Sequence, residues 1–398
     1  MIRQLMLLAT FSAILMASNA VLDYIKAAQK RLQMDRQLQM IEQQQQLGIS
    51  AKKINRFTSF SVDAFYTDTK ADLLPKRFNT TDISLSDTID IFNKSGIAIE
   101  KIRLQAKQNR YLLESQKRQL FLSLIEMIAS WHRTREVLQL HRKLYHEQES
   151  VLKQLKKAVN AGAMPKIESE RFANTLSLFH AKIIDEQTML ETMGARLKLY
   201  VPKRTIPSLK VERLQADMNG FLLHATSLRL KYVESELAQK EAEAIQKSWL
   251  PEAIVGTAYQ QNSDPTANGD NYSVFAGVHI SLDAGIGKKA EAARVHAIRS
   301  KSQAIAAKIE VSEHYLNYLG SIRSAEKQAK ILEPALRQAK STLKSIKTAY
   351  LKHYTDFNSY LQAFQSYLAL REKSIEVAIM KQKNILILNM LSSGAIYE

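Results

Sequence analysis

The chain has 398 residues, no cysteine and a formal net charge of +17. The missing thiols exclude disulfides, thiolate metal sites, a cysteine nucleophile and a lipid-anchored cysteine. The charge raises nucleic acid as a partner, but the basic residues are dispersed along helical stretches among acids and glutamines instead of forming one tract, so no nucleic acid is expected. Residues 1–20 read as a secretory signal peptide: Arg3, an apolar run from Leu5 to Met16, then Ser18-Asn19-Ala20 with small residues where a peptidase would cut. Residues 21–56 follow as a polar helix carrying Leu32, Met34, Leu38, Ile41 and Leu47. Over 57–92 the period falls to two. Phe60, Val62, Ala64 and Tyr66 alternate with Ser61, Asp63 and Phe65, and Ile83, Leu85, Ile89 and Ile91 alternate with Ser84, Ser86, Thr88 and Asp90. These are two strands joined by a polar loop with Pro75.

Residues 93–200 form a long helical hairpin. Its first arm, of roughly 95 Å, runs to about Ala158. The tip at 160–166 holds Gly162 and Pro165, the latter suited to the first turn of the next helix. Pro202 and Pro207 mark an irregular link over 201–218, and a helix spans 219–250. A second strand pair occupies 251–284, where Tyr272, Val274, Ala276, Val278 and Ile280 alternate with Ser273, Phe275, Gly277, His279 and Ser281. The second long hairpin fills 285–398, with its tip at 351–356. Heptad seams line both hairpins: Leu124, Trp131, Leu138, Tyr145, Leu152 and Val159 in the first, Ala325, Ala329, Leu332, Leu336, Ala339, Leu343, Ile346 and Tyr350 in the second. The order helix, two strands, long helix, turn, helix thus occurs twice. Placing Gly162 over His353 aligns the halves at an offset of 191.

Four strands with an apolar face and open edges cannot stand alone in lipid, where every backbone group must be paired, so the sheet has to close with sister chains. Two, three or four copies give eight, twelve or sixteen strands, and periodicity does not choose among them. Ser61, Asp63, Ser84, Ser86, Asp90, Ser273 and Ser281 are the expected lumen lining. Phe60, Val62, Ile83, Leu85, Val274, Val278 and Ile280 are expected to face lipid. The alternative is a water-soluble sheet packed on helices.

At this point the chain resembles a known family, the TolC-type outer membrane efflux proteins of Gram-negative bacteria. The resemblance covers essentially the whole mature chain. It is carried by Ala349-Tyr350-Leu351-Lys352-His353, Phe357, Tyr360-Leu361-Gln362-Ala363, Ser366-Tyr367-Leu368, Leu386 to Leu391 with Gly394, Leu282-Asp283-Ala284-Gly285, and Lys156 to Gly162 with Ser169-Glu170. The resemblance implies a mainly α fold with a small β part, in which long coiled-coil hairpins form a periplasmic tunnel. It also implies a homotrimer with four strands per protomer in one 12-stranded transmembrane barrel, a periplasmic adaptor and an inner membrane transporter as partners, and passive export of drugs, metal ions or proteins. His353 departs from the family, which usually has glycine there.

Such a duct needs no catalytic group, cofactor or metal. The expected working parts are the hairpin tips, as gate and adaptor contact: Gly162, Lys166, Glu168, Glu170, Lys352, His353 and Asp356. The nine histidines show no ligand spacing and read as solvated or satisfied. A secreted, non-conducting coiled-coil scaffold is the second reading, sharing the heptads without needing lipid-facing strands.

Overall fold

The computed structural model describes residues 20–57, 61–70, 77–211, 213–262, 270–280 and 283–397. Residues 1–19 of the signal peptide expected over 1–20 therefore lie outside the described residues, as do Phe60, Pro75, Ser281 and Leu282. The helices are α1 (residues 20–31), α2 (Met34–Phe57), α3 (Lys94–Asn160), α4 (Lys166–Tyr200), α5 (Met218–Leu223), α6 (Thr226–Lys247), α7 (Ile286–Leu351) and α8 (Phe357–Ser393). The strands are β1 (Ser61–Lys70), β2 (Arg77–Ile89), β3 (Glu252–Asn262) and β4 (Asn271–His279). The halves repeat in element bounds as well as order. Ser61 and Glu252, which open β1 and β3, stand 191 positions apart, and so do Lys166 and Phe357, which open α4 and α8.

Several elements differ from the sequence expectation. The helix expected over 21–56 is two, because Gln33 adopts a left-handed φ of 54° and interrupts the hydrogen-bond ladder. The helix expected over 219–250 is also two. Asp217 caps the short α5, its carboxylate accepting from the Gly220 N–H, and His224 closes it. Strands β1 and β2 extend toward their loop, as far as a Lys70–Arg77 pair, because threonine and asparagine continue the ladder without apolar alternation. At its other end β2 stops at Ile89, which leaves Asp90 and Ile91 outside the sheet.

The chain divides into two compact units, each built from both repeats. One unit comprises residues 35–114 and 226–309 and contains the sheet. The order β1-β2-β3-β4 is antiparallel throughout, so β1 and β4 are the edges. All four helix junctions lie at one end of the sheet and both strand-to-strand loops at the other. At the helix end, Asp90 accepts the N–H groups of Lys94 (2.8 Å) and Ser95 (2.7 Å), which caps α3. Lys94 Nζ donates to the Leu250 carbonyl (2.7 Å) and pairs with Glu252 (3.0 Å), tying that cap to the start of β3. Ion pairs flank α3 on both sides: Arg110–Glu42 at 2.7 Å toward α2, Lys240–Glu100 at 2.6 Å and Lys101–Glu241 at 3.4 Å toward α6. The small residues of α7, Ser300, Ala304 and Ala307, are buried, whereas its larger Val295, Ile298, Ile305 and Ile309 are exposed.

The other unit comprises residues up to 34, 115–225 and 310 onward. Its densest part surrounds the end of α8, where Ile385, Leu386, Ile387, Leu388, Met390 and Leu391 are all buried. A helix apolar on every side has to be enclosed on every side. Residues of α1 take part: Tyr24 donates to the Leu197 carbonyl and Gln29 to the Ile396 carbonyl, both at 3.0 Å. The C-terminal stop of α8 is Gly394 at φ 73°, packed so close to the His224 ring that a Cβ there would lie 2.5 Å from it.

Candidate functional site

The sheet is amphipathic, and its register shows how. Paired residues on neighbouring strands share a face, and successive residues alternate. Val62, Leu85, Thr257 and Val274 form one rank across all four strands, and Ala64, Ile83, Tyr259 and Tyr272 form the next on that same face. Val278 pairs with Ala253 there too. This face is bare within the chain: Val274 is 86% exposed, Val62 68% and Val278 66%. Asp87 interrupts it, in register with Val255. Near the loop end it carries Tyr66, Tyr259 and Tyr272, the last two with ring centroids 5.0 Å apart. Ile280 lies one residue past β4.

The opposite face holds Ser61 with Ser86, and Asp63 with Ser84 and, across β3, Ser273. The hydroxyls of Ser61 and Ser86 are 2.7 Å apart. The residues assigned from sequence to lumen and to lipid therefore separate onto opposite faces wherever they lie in the sheet. Asp90 is the correction. It lies beyond β2, and its carboxylate is spent on the first turn of α3, because the chain leaves the sheet two residues earlier than the alternation suggested. Two phenylalanines that sequence reasoning gave no role also lie on the polar face, Phe65 and Phe275. Phe275 lies across the central strand, where a Cβ on Gly256 would stand 2.4 Å from its ring.

The tips of the two hairpins share one core. Val151, Leu155, Met164, Phe172, Tyr350, Phe357 and Tyr360 are buried together. Tyr350 and Tyr360 stack at 5.3 Å between centroids, and Phe172 stacks on Tyr360 at 5.9 Å. The turns are equivalent in detail. Gly162 (φ 72°) and His353 (φ 63°) take the same left-handed position, and Ala163 and Tyr354 return their N–H groups to the carbonyls of Ala158 and Ala349. Among the tip residues expected from sequence, Lys166 pairs with Glu170 (3.1 Å) and Glu168 lies 3.9 Å from Arg171. Glu168 also accepts from the Tyr350 hydroxyl at 3.4 Å. Burial drives the Tyr350 phenol strongly upward, with the nearby Glu168 charge adding to it. Asp356 is the N-cap of α8, its carboxylate accepting from the Ser359 N–H at 2.7 Å, which holds it below the ordinary carboxylate range.

One cluster escaped sequence reasoning. His141, on α3, is fully buried with a carboxylate on each ring nitrogen: Glu186 of α4 at 2.8 Å and Glu372 of α8 at 2.6 Å. Lys182 reaches the same Glu372 oxygen at 3.0 Å. Burial by itself would lower the imidazole, but the two carboxylate hydrogen bonds outweigh it and the net shift is upward. The hydrogen bond from His141 pulls Glu372 down to about 2 against the opposing effect of burial. The sequence signal was positional. The deepest line of α3 toward its tip is Leu138, His141, Leu144, Gln148, Val151 and Leu155, so two polar residues occupy seam positions. Of the seam expected from sequence, Leu124 and Leu138 are buried, whereas Trp131, Tyr145, Leu152 and Val159 are only half-buried, since α3 packs against two helices and those positions fall on its flank.

Among the described residues no group of histidines and carboxylates is arranged to hold a metal, and no helix is long and apolar enough to cross a membrane. No protein-family model matches the sequence, and no curated protein sequence does. Solved structures do. The outer-membrane channel OprN superposes with a TM-score of 0.79 at 11% identity, covering 96% of this chain and 91% of that one. The outer membrane protein VceC of Vibrio cholerae gives 0.77 at 12% identity, covering 94% and 96%. The outer membrane channel CmeC of Campylobacter jejuni gives 0.70 at 11%, covering 95% and 86%. Identities this low speak to architecture, and at that level the chain has the fold of the TolC-type outer membrane channels.

Proposed function

We propose that the chain is the outer membrane exit duct of a tripartite efflux or secretion assembly, passively conducting what an inner membrane transporter and a periplasmic adaptor deliver. The observation that carries this reading is the sheet: four strands, one bare apolar face, one polar face and two unpaired edges. In hydrocarbon those edges must be satisfied. Because the strands alternate in direction, β4 of one copy and β1 of the next are antiparallel, and joining them continues the same ladder. Three copies give the twelve strands that the TolC-type fold implies. The tyrosines at the loop end then form part of an interfacial aromatic girdle.

The helices beside the two edges support the same closure. On α2, which leads into β1, Met40, Leu47 and Ile54 are seven residues apart and all exposed. On α7, which leaves β4, Val295, Ile298, Ser302, Ile305 and Ile309 follow heptad spacing and are also exposed. Each seam covers 15 residues, from 40 to 54 and from 295 to 309. Head-to-tail contact buries one against the other. The hairpin tips serve as adaptor contact and gate, with Tyr350 and Glu168 linking the two hairpins.

Planar bilayer recording of the purified protein, with membrane fractionation and gel migration before and after heating, tests the reading. Expected are discrete ion-conducting steps and a heat-modifiable oligomer in the outer membrane fraction. A soluble, non-conducting monomer would establish the scaffold reading in its place. Recordings on Glu168→Ala and Asp356→Ala, with adaptor binding measured in parallel, test the tips. Unchanged conductance and unchanged binding would remove them from the gate.

A further inference from the structure

Both long hairpins end in positive charge that the fold leaves unanswered. Lys153, Lys156 and Lys157 lie near the end of α3, and Lys340, Lys344 and Lys347 near the end of α7. All are exposed except Lys347, which is half-buried. Among the described residues none of these lysines is ion-paired. The carboxylates nearby are engaged elsewhere: Glu170 with Lys166, Glu168 with Arg171 and the Tyr350 hydroxyl, Asp356 as the cap of α8. The returning arms supply no others, since α4 has no acid from Phe172 to Ile184 and α8 has none from Phe357 to Leu370. The arrangement works against the helices that carry it. Lys340 with Lys344, Lys344 with Lys347, and Lys153 with Lys156 and Lys157 stand three or four residues apart, where like charges repel. The helix dipole favours a cation only in the last turn, which holds Lys157 on α3 and no basic residue on α7. Near the lysines two large apolar side chains lie uncovered, Tyr354 in the second turn at 82% exposure and Ile167 at the start of α4 at 51%.

We infer that the hairpin ends receive an acidic helical segment of the partner, with the lysine triads of α3 and α7 as the residues that recognise it. The inference rests on the duct reading, which makes the tips the contact with a periplasmic protein, and adds the chemistry of that contact. Unpaired cations in a line are complemented by carboxylates in a line. The spacing of four and then three along α7 is that of one helix face, so a second helix laid alongside can present glutamates at matching heights. Depth decides between a protein and a lipid surface. Lys340 lies about 16 Å, and Lys153 about 10 Å, back from the ends of their helices. A flat anionic bilayer meeting the tips end-on reaches the turns and not those lysines, whereas a rod lying against the hairpins reaches both triads. Tyr354 and Ile167 then supply the apolar contact that fixes the rod in place, and the charges supply the choice of partner.

Binding of a labelled synthetic helical hairpin with a glutamate-rich face, compared with its glutamine counterpart, tests this on the full-length protein in detergent. The wild type is expected to prefer the glutamate hairpin about tenfold at low salt and to lose that preference at about 1 M salt. Lys340→Gln/Lys344→Gln/Lys347→Gln and Lys153→Gln/Lys156→Gln/Lys157→Gln should each cut the preference about threefold, since glutamine keeps the helix and removes the charge. Lys52→Gln/Lys53→Gln/Lys301→Gln, which removes the same charge from the other unit, should leave it unchanged. A photo-reactive benzophenone residue in place of Tyr354 should link, in cells, to a protein segment richer in acids than in bases. A conducting protein without the preference, a control triple that weakens binding as much as the tip triples, or a linked segment that is neutral or basic would overturn the inference and leave the duct reading intact. Tight binding of phosphatidylglycerol vesicles that the tip triples abolish would overturn it in favour of a lipid contact. Absence of any conductance would instead overturn the duct reading, and this inference with it. Should one tip triple fail to assemble, the other triple and the salt dependence of the wild type still decide.

Discussion

At the scale of single residues the two hairpin tips are a matched experiment. The same turn is closed by Gly162 in one half and His353 in the other, both left-handed. Glycine takes that conformation without penalty, whereas a side chain brings its Cβ against the following carbonyl at a cost of about 1 kcal/mol. Nothing lies within 4 Å of where a Cβ on Gly162 would be, so any cost of substituting it is backbone strain and not a clash. His353→Gly should stabilise its turn by about 1 kcal/mol, and Gly162→Ala should destabilise the other by a similar amount. Chemical denaturation of the two variants measures both signs. Equal responses would mean that contacts of the His353 side chain, and not its φ, set the energy. The sequence alignment of the halves brought these two positions together. That both are left-handed follows only from the backbone.

At the scale of elements, the sequence was legible wherever one period dominated. The strands, the long helices and the repeat all appeared because alternation or heptad spacing persisted for many residues. It failed where a local hydrogen bond outcompeted the period. Gln33 and His224 break helices inside unbroken polar or apolar patterns, and Asp90 leaves a strand it fits by alternation because α3 needs a cap. Pro334 was passed over inside α7, which continues through it with the proline exposed and one backbone donor fewer. The His141 cluster was hidden for a different reason: its partners come from α4 and α8, 45 and 231 positions away. As an imidazolium it joins three helices through its two ring N–H groups. The imidazole is raised in the fold, so its contribution is complete below its ordinary value of about 6.5 and is lost as pH rises through the raised one. Glu372, held at about 2, contributes fully above its ordinary value of about 4.5 and loses that contribution as pH falls from there toward 2. Thermal unfolding followed from pH 5 to 9 should therefore show a midpoint that falls toward the alkaline end. His141→Leu should remove that dependence and cost about 3 kcal/mol at pH 6, because two carboxylates lose the cation between them. A pH profile identical in wild type and variant would mean that the histidine is neutral throughout.

At the scale of the whole molecule, the decisive question is how copies meet. An interface related by a two-fold axis puts the same patch on both sides, whereas a ring joins two different patches. The sheet edges and exposed seams distinguish these cases. The α2 seam with the β1 edge is one patch, and the α7 seam with the β4 edge is the other. A chain without cysteine allows a clean test. Leu47→Cys and Ser302→Cys, placed in one chain and treated in membranes with a flexible bis-maleimide, should give covalent dimers and then trimers, with nothing larger. Each single variant alone should give no ladder, and a mixture of the two singles should give dimers only, since each contact then has one reactive side per copy. If the Leu47→Cys variant links to itself, α2 meets α2 across a two-fold axis. The edges could not then close into a twelve-stranded ring, and the apolar face would need some other cover. A ladder that stops at three copies, together with silent single variants, fixes both the hand-to-hand order of the strands and the number of chains that share the barrel.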